Sequence, residues 1–168
     1  IEDHQTGLSH PAGHLEDGHI DGQDFSGGWY NAGDYGKWTH CSAIVAANIL
    51  WLYRLNPASR GDRLGIPESG NNYPDLLDEA RWGLMWLLKM QTSEGSVYHK
   101  VDTEPDFAWG KPPEEDKLER SVKWTDREGT EPSTMDAAVF CGVMSLASRT
   151  FIDSDPDFAA ECKKAALL

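Results

Sequence analysis

Positive charge is scarce in this chain: 15 Lys and Arg stand against 28 Asp and Glu over 168 residues, a formal net charge of −13. Capture of nucleic acid or of an anionic membrane surface needs basic patches, so neither is expected as a partner, whereas a neutral polymer is compatible. Long apolar runs are missing too. No stretch reaches the roughly 18 residues of a helical span, so no membrane insertion is expected. The opening Ile1-Glu2-Asp3-His4 has neither the basic nor the apolar region of a signal peptide, and the chain reads as processed or excerpted. Cysteine is scarce and odd in number. Cys41, Cys141 and Cys162 fall in apolar helical patterns and are expected as small buried residues, not as a disulfide framework.

Against these absences, residues 24 to 38 are rich. Asp24-Phe25-Ser26-Gly27-Gly28-Trp29-Tyr30-Asn31-Ala32-Gly33-Asp34-Tyr35-Gly36-Lys37-Trp38 sets the carboxylate of Asp34 among four glycines and the flat rings of Trp29, Tyr30, Tyr35 and Trp38. The glycines give access to positive φ and tight turns, so the segment is expected as a loop. Flat aromatic faces stack on the C–H faces of sugars, and glycoside hydrolysis needs a pair of carboxyl groups, so Asp34 is a candidate for one of that pair. The competing reading is a Gly-Asp turn in which Asp34 bonds its own backbone. Trp29, Tyr30, Tyr35 and Trp38 either line a cleft floor or brace the loop. Seven tryptophans in all fit carbohydrate binding, although the helical spacing of Trp51, Trp82 and Trp86 favours core packing.

The run from Asp24 to Lys37 resembles the N-terminal signature of glycoside hydrolase family 9, the inverting cellulases and related β-glucanases, in particular the bacterial branch with an N-terminal immunoglobulin-like module. Four further stretches agree in order: Thr6 to Ala12, Tyr73 to Leu84, Val97 to Val101 and Ser145 to Arg149. The resemblance implies an all-α (α/α)6 barrel of twelve helices, of which residues 1–168 would be the N-terminal part of one catalytic domain. It implies a β-1,4-glucan or cello-oligosaccharide substrate and hence a secreted, periplasmic or cell-surface location. Other partners would be the remainder of the catalytic domain and the immunoglobulin-like module. By the same match Asp34 is the general base, and the general acid is a Glu beyond this chain; none of Glu94, Glu104, Glu114, Glu115, Glu119, Glu128 or Glu131 matches its motif. Phe107 and Trp109 are the implied sugar-stacking residues, Trp109 the better candidate.

Asn31 departs from the family, which commonly has a second Asp three residues before the base. An amide can orient water but adds no negative charge to raise the proton affinity of Asp34. Asn31 thus motivates one alternative to the endoglucanase, a non-catalytic carbohydrate-binding protein; the resemblance leaves a second, an exo-acting β-glucosidase or glucosaminidase-like member. No redox or nucleotide cofactor is expected. Structural calcium or zinc occurs in relatives, but the implied zinc site uses an adjacent Cys-His pair where this chain has Gly13-His14, so His4, His10, His14 and His19 are expected as solvated loop residues and no metal is assigned. Asp153 to Asp157 is expected as a helix start because it lacks the Gly and terminal Glu of a calcium loop.

Helical signals begin near residue 39. Residues 39 to 54 form one expected helix, ended by Asn56-Pro57. A second runs from Pro74 to about Gln91 on a stripe of Leu76, Leu77, Ala80, Leu84, Leu87 and Leu88, with Asp75, Asp78 and Glu79 favoured at its positive end. Residues 92 to 131 read as a long loop with a short strand at Ser96 to Val101. A third helix starts after Pro132, with Ser133 or Thr134 as its cap, and a fourth opens at Asp155-Pro156 and reaches Leu168.

Overall fold

A computed structural model describes residues 2–3, 8–9, 14–104, 115, 118–125 and 131–168. Four helices dominate it: α1 (Thr39–Leu55), α2 (Asp75–Lys89), α3 (Thr134–Phe151) and α4 (Pro156–Leu167). Each lies within a residue or two of its sequence expectation, and α3 and α4 carry clear local start signals. Ser133 Oγ accepts from Asp136 N at 3.3 Å to cap α3, and Asp155 Oδ1 accepts from Phe158 N at 3.1 Å to cap α4, with Pro156 at the first helical position. The Asp153 to Asp157 segment is thus a helix start, as expected.

Helix α1 is central and packs against both α2 and α3, while α3 packs against α4. Its buried face is built from small residues, Ser42, Ala43 and Ala46, followed by Leu50, which lets the neighbouring helices approach closely. On α2 the buried stripe is Leu77, Ala80, Leu84 and Leu87, joined by Gly83 and Trp86. The turn-rich connection before α2 is organised by two carboxylates. Asp75 accepts from Leu64 N and, at 2.7 Å, from Ser69 Oγ; Asp62 accepts from Gly70 N and, at 2.7 Å, from Asn72 N. Arg81 ties α2 to α4 through an ion pair with Asp155, and its guanidinium lies 4.3 Å from the centre of the Phe158 ring.

Five short strands and two 3-10 turns, Leu15–His19 and Pro57–Ser59, complete the described elements. β1 (Glu2–Asp3) pairs antiparallel with β2 (Leu8–Ser9), and β3 (Lys37–Trp38), β4 (Lys100–Glu104) and β5 (Glu119–Lys123) form an antiparallel sheet in that order. The expectation of a long loop over 92 to 131 is therefore corrected. β4 begins where the expected strand was ending, and β5 answers it in register from Lys100 opposite Lys123 to Glu104 opposite Glu119. The alternation of that hairpin is hidden in sequence because Lys100, Asp102 and Arg120 are buried charged residues, paired inside the protein.

Two packing expectations also change. Trp86 is 1% exposed, but Trp51 and Trp82 are 48% and 47% exposed, on helix faces turned away from the described core. Of the cysteines only Cys162 is fully buried, which pushes its thiol up to about 12; Cys41 is half-buried, and Cys141 is exposed with its Sγ donating to Ala166 O at 3.3 Å. All three are free thiols. No helix among the described residues is long and apolar enough to cross a membrane.

Gly83 marks the tightest approach between α2 and the segment before α1. A Cβ there would lie 2.1 Å from the Trp29 ring. Gly83→Ala gains about 1 kcal/mol of helix propensity but displaces an indole tied by its Nε1 to Glu79, a strain of about 1 to 3 kcal/mol, so a net loss of stability is expected. Gly142→Ala on α3, with nothing within 4 Å of the new methyl, should instead gain about 1 kcal/mol. Thermal denaturation of the two variants in one background distinguishes them.

Candidate active-site loop

Residues 24 to 36 are laid across α2 and fastened by indole nitrogens. Trp86 Nε1 donates to Phe25 O at 3.2 Å, Trp82 Nε1 to Gly28 O at 3.2 Å, and Trp29 Nε1 reaches back to Glu79 Oε1 at 2.8 Å. Gly27 and Gly28 have φ of 88° and 72°, and a Cβ on Gly28 would meet the Trp86 ring at 2.6 Å. Only glycine satisfies both constraints there. At the end of α2, Lys89 Nζ donates to Asp24 Oδ2 at 2.9 Å and to Ser26 O at 2.8 Å. The Lys89 hydrogen bond, followed by that of Ser26, holds the Asp24 carboxyl well below the usual carboxylate range.

The turn that carries Asp34 is closed by Asn31 N donating to Gly36 O at 2.7 Å and Tyr35 N to Ala32 O at 3.1 Å. Gly33 and Gly36 do not use positive φ, contrary to expectation; Tyr35 does, at 57°. Gly36 is needed for space, since a Cβ would fall 2.9 Å from Trp38 Nε1. Asp34 is half-buried and Asn31 exposed, three residues apart on one turn. Asp34 Oδ1 accepts from Gly36 N at 3.4 Å, longer than the usual limit of about 3.2 Å. Phe107 and Trp109 lie outside the described residues.

Beneath this turn is a buried ion cluster that the sequence did not signal. Lys37 Nζ lies 2.6 Å from Asp17 Oδ2 and also donates to Phe25 O at 2.6 Å and Gly27 O at 3.1 Å. Arg120 grips the same carboxylate with two bonds, Nε to Oδ1 at 2.8 Å and a terminal nitrogen to Oδ2 at 3.2 Å. All three side chains are at most 5% exposed. Burial pushes the Lys37 ammonium below its ordinary value, while the charge and hydrogen bond of Asp17 pull it back up.

The aromatic residues brace the loop. Tyr30 and Tyr35 pack edge to face at 5.3 Å, and His14 sits against both at 6.1 and 5.4 Å. Burial, then the Asp17 charge, pushes the Tyr30 phenol up to about 12. His14 is therefore a packed residue, not a solvated one, while His19 is exposed and His4 and His10 fall outside the described residues. The implied zinc site does not fit here, because Gly13 offers no side-chain ligand and His14 packs against phenol rings. Among the described residues, the one group with metal-ligand spacing is elsewhere: His40, His99 and Asp136. Nothing in their sequence separation announces them.

The profile described as Glycosyl hydrolase family 9 matches residues 2–167. The chain is 33% identical over 162 residues to a cellulose 1,4-beta-cellobiosidase of Acetivibrio thermocellus, covering 86% of this chain and 17% of that protein. It is 38% identical over 145 residues to a xyloglucan-specific endo-beta-1,4-glucanase of Bacteroides ovatus, covering 84% and 23%. A crystal structure of a metagenome-derived glycoside hydrolase family 9 endoglucanase superposes on 99% of this chain with a TM-score of 0.84 at 38% identity, and this covers 31% of that structure. The chain thus spans less than a third of any of these proteins. The fold is the (α/α)6 barrel of such structures, to which the four helices here contribute a part.

Lys37→Met keeps the length and removes the charge. It leaves Asp17 paired with Arg120 alone and Gly27 O without a donor, while Phe25 O keeps that of Trp86, so a loss of about 1 to 3 kcal/mol is expected in denaturant unfolding.

Proposed function

The chain belongs to glycosyl hydrolase family 9, and we propose that it supplies the general-base side of a β-1,4-glucanase active site, with Asp34 as the base. The observation that carries this reading is a half-buried carboxylate on a turn fixed by its own backbone, whose bond to Gly36 N is long at 3.4 Å. A carboxylate committed to a tight turn would hold that bond nearer 2.9 Å. Here its lone pairs can engage a water molecule.

In the inverting reaction Asp34 takes a proton from water, and the oxygen attacks the anomeric carbon on the face opposite the leaving group. A carboxylic acid about 6.5 to 9.5 Å away protonates the departing oxygen. That acid is a Glu outside these 168 residues, so the domain must be completed by further helices. Ile44, Val45, Leu52 and Leu55 of α1 and Trp82 and Met85 of α2 are exposed apolar side chains that support such packing. Phe107 and Trp109 are the proposed stacking residues for the sugar before the cleavage point. Relatives named for cellulose and for xyloglucan support a β-glucan substrate, which implies a protein exported from its cell.

Asn31 favours a second reading, a protein that binds β-glucan without cleaving it. It sits where the family commonly has an Asp, exposed on the same turn as Asp34. Without that second carboxylate the base has less proton affinity and the water fewer acceptors.

In the complete protein, Asp34→Asn should lower kcat on cello-oligosaccharides by about 10²- to 10⁴-fold with binding little changed; undiminished turnover would remove Asp34 from the reaction. Asn31→Asp should raise kcat by about tenfold or more, equivalent to about 1.4 kcal/mol of barrier. Tight binding with no turnover in either form supports the non-catalytic reading. The isolated 168-residue chain should release no reducing sugar.

A further inference from the structure

Three side chains distant in sequence meet where α1, β4 and α3 begin. His40 lies in the first turn of α1, His99 immediately precedes β4, and Asp136 lies in the first turn of α3. One donor atom from each falls within 4.8 Å of the other two. His99 Nδ1 is 2.6 Å from Asp136 Oδ2, and His40 Nδ1 is 3.6 Å from Asp136 Oδ1. The two imidazoles stack at 5.5 Å with their planes 23° apart, and Trp38 packs edge-on against both at 5.4 and 5.2 Å. Asp136 is wholly buried.

A buried carboxylate requires a compensating cation or a full set of hydrogen bonds. Asp136 Oδ1 has no hydrogen-bond partner among the described residues, and neither has His40 Nδ1, although both atoms are shut off from solvent. They face one another at a separation too long for a hydrogen bond and suited to a shared ion. A zinc ion about 2.1 Å from each would see the two donors about 118° apart, close to the tetrahedral angle. Two imidazoles and one carboxylate suit zinc-class divalent ions, whereas calcium and magnesium prefer all-oxygen sites.

We propose that His40, His99 and Asp136 form a divalent metal site of the zinc class that ties the starts of α1 and α3 to β4. His99 enters the coordination by exchanging its bond to Asp136 for the metal, and the fourth position is left for water. The site does not depend on the role of Asp34, and it lies behind Trp38, four residues beyond that carboxylate.

The test uses the full-length protein, stripped with a chelator and titrated with zinc, as wild type, His40→Ala and Asp136→Asn. Bound zinc is counted by elemental analysis, and thermal denaturation is followed with and without the ion. The wild type should hold one zinc more than either variant, the affinity at this site should fall at least about 100-fold in His40→Ala, and zinc should raise Tm more in the wild type than in the variants. His40 is partly exposed, so His40→Ala carries the test should Asp136→Asn fail to fold. Equal zinc content and an equal Tm response in wild type and His40→Ala would overturn the site and leave a histidine–carboxylate hydrogen-bond cluster.

Discussion

The ammonium group of Lys37 is buried away from bulk solvent, and the structure around the loop of residues 24 to 36 follows from how its charge is compensated. Two cations, Lys37 and Arg120, share one carboxylate, Asp17, so the buried cluster carries an excess positive charge. Bare burial of that charge would cost several kcal/mol. The carbonyl oxygens of Phe25 and Gly27 take the place of water, with the Trp86 ring 5.6 Å beneath the ammonium. Because these oxygens must stay within hydrogen-bond reach, the backbone from 25 to 27 cannot drift, and the turn bearing Asp34 is anchored at its near end. The far end is Lys37 itself, a residue of β3.

The same loop is held from a second side by complementary volumes. Large rings fill the spaces that glycines leave open: Trp29 over Gly83, and Trp86 under Gly28. Each ring also spends its N–H on a fixed acceptor, so shape and hydrogen bonding specify one placement together. Rigid support of this kind keeps a reactive group near one geometry, which is what proximity effects in catalysis require.

The helices were legible in sequence because their signals are local. Ser133, the Asp155-Pro156 pair and the Leu77 to Leu87 stripe each act within a few residues of the element they define. The sheet and the ion cluster were not legible. Asp17 and Arg120 are 103 residues apart, and a buried Arg in β5 reads in sequence as a solvated one. His40, His99 and Asp136 were hidden for the same reason. Trp51 and Trp82 show a different limit: helical spacing says which residues share a face, not which of two faces is covered by these 168 residues. Asp34 was reached through an extended signature, since the Gly-Asp pair alone reads first as a turn, and the structure contains that turn in a loosened form.

The long-range grip of Arg120 on Asp17 also sets an order of events during synthesis. The turn bearing Asp34 leaves the ribosome before the residue that completes its support, which is made 103 positions after Asp17. At about 5 to 20 residues per second this interval is about 5 to 20 s. Lys37, α1 and α2 are all made within it, and at its end Lys37 and Asp17 hold only each other and the nearby carbonyls. The loop bearing Asp34 thus receives its last buried partner after the helices on which it rests have been made, and a chaperone or protease meeting the nascent chain in that window would find the Asp17 carboxylate without its second cation.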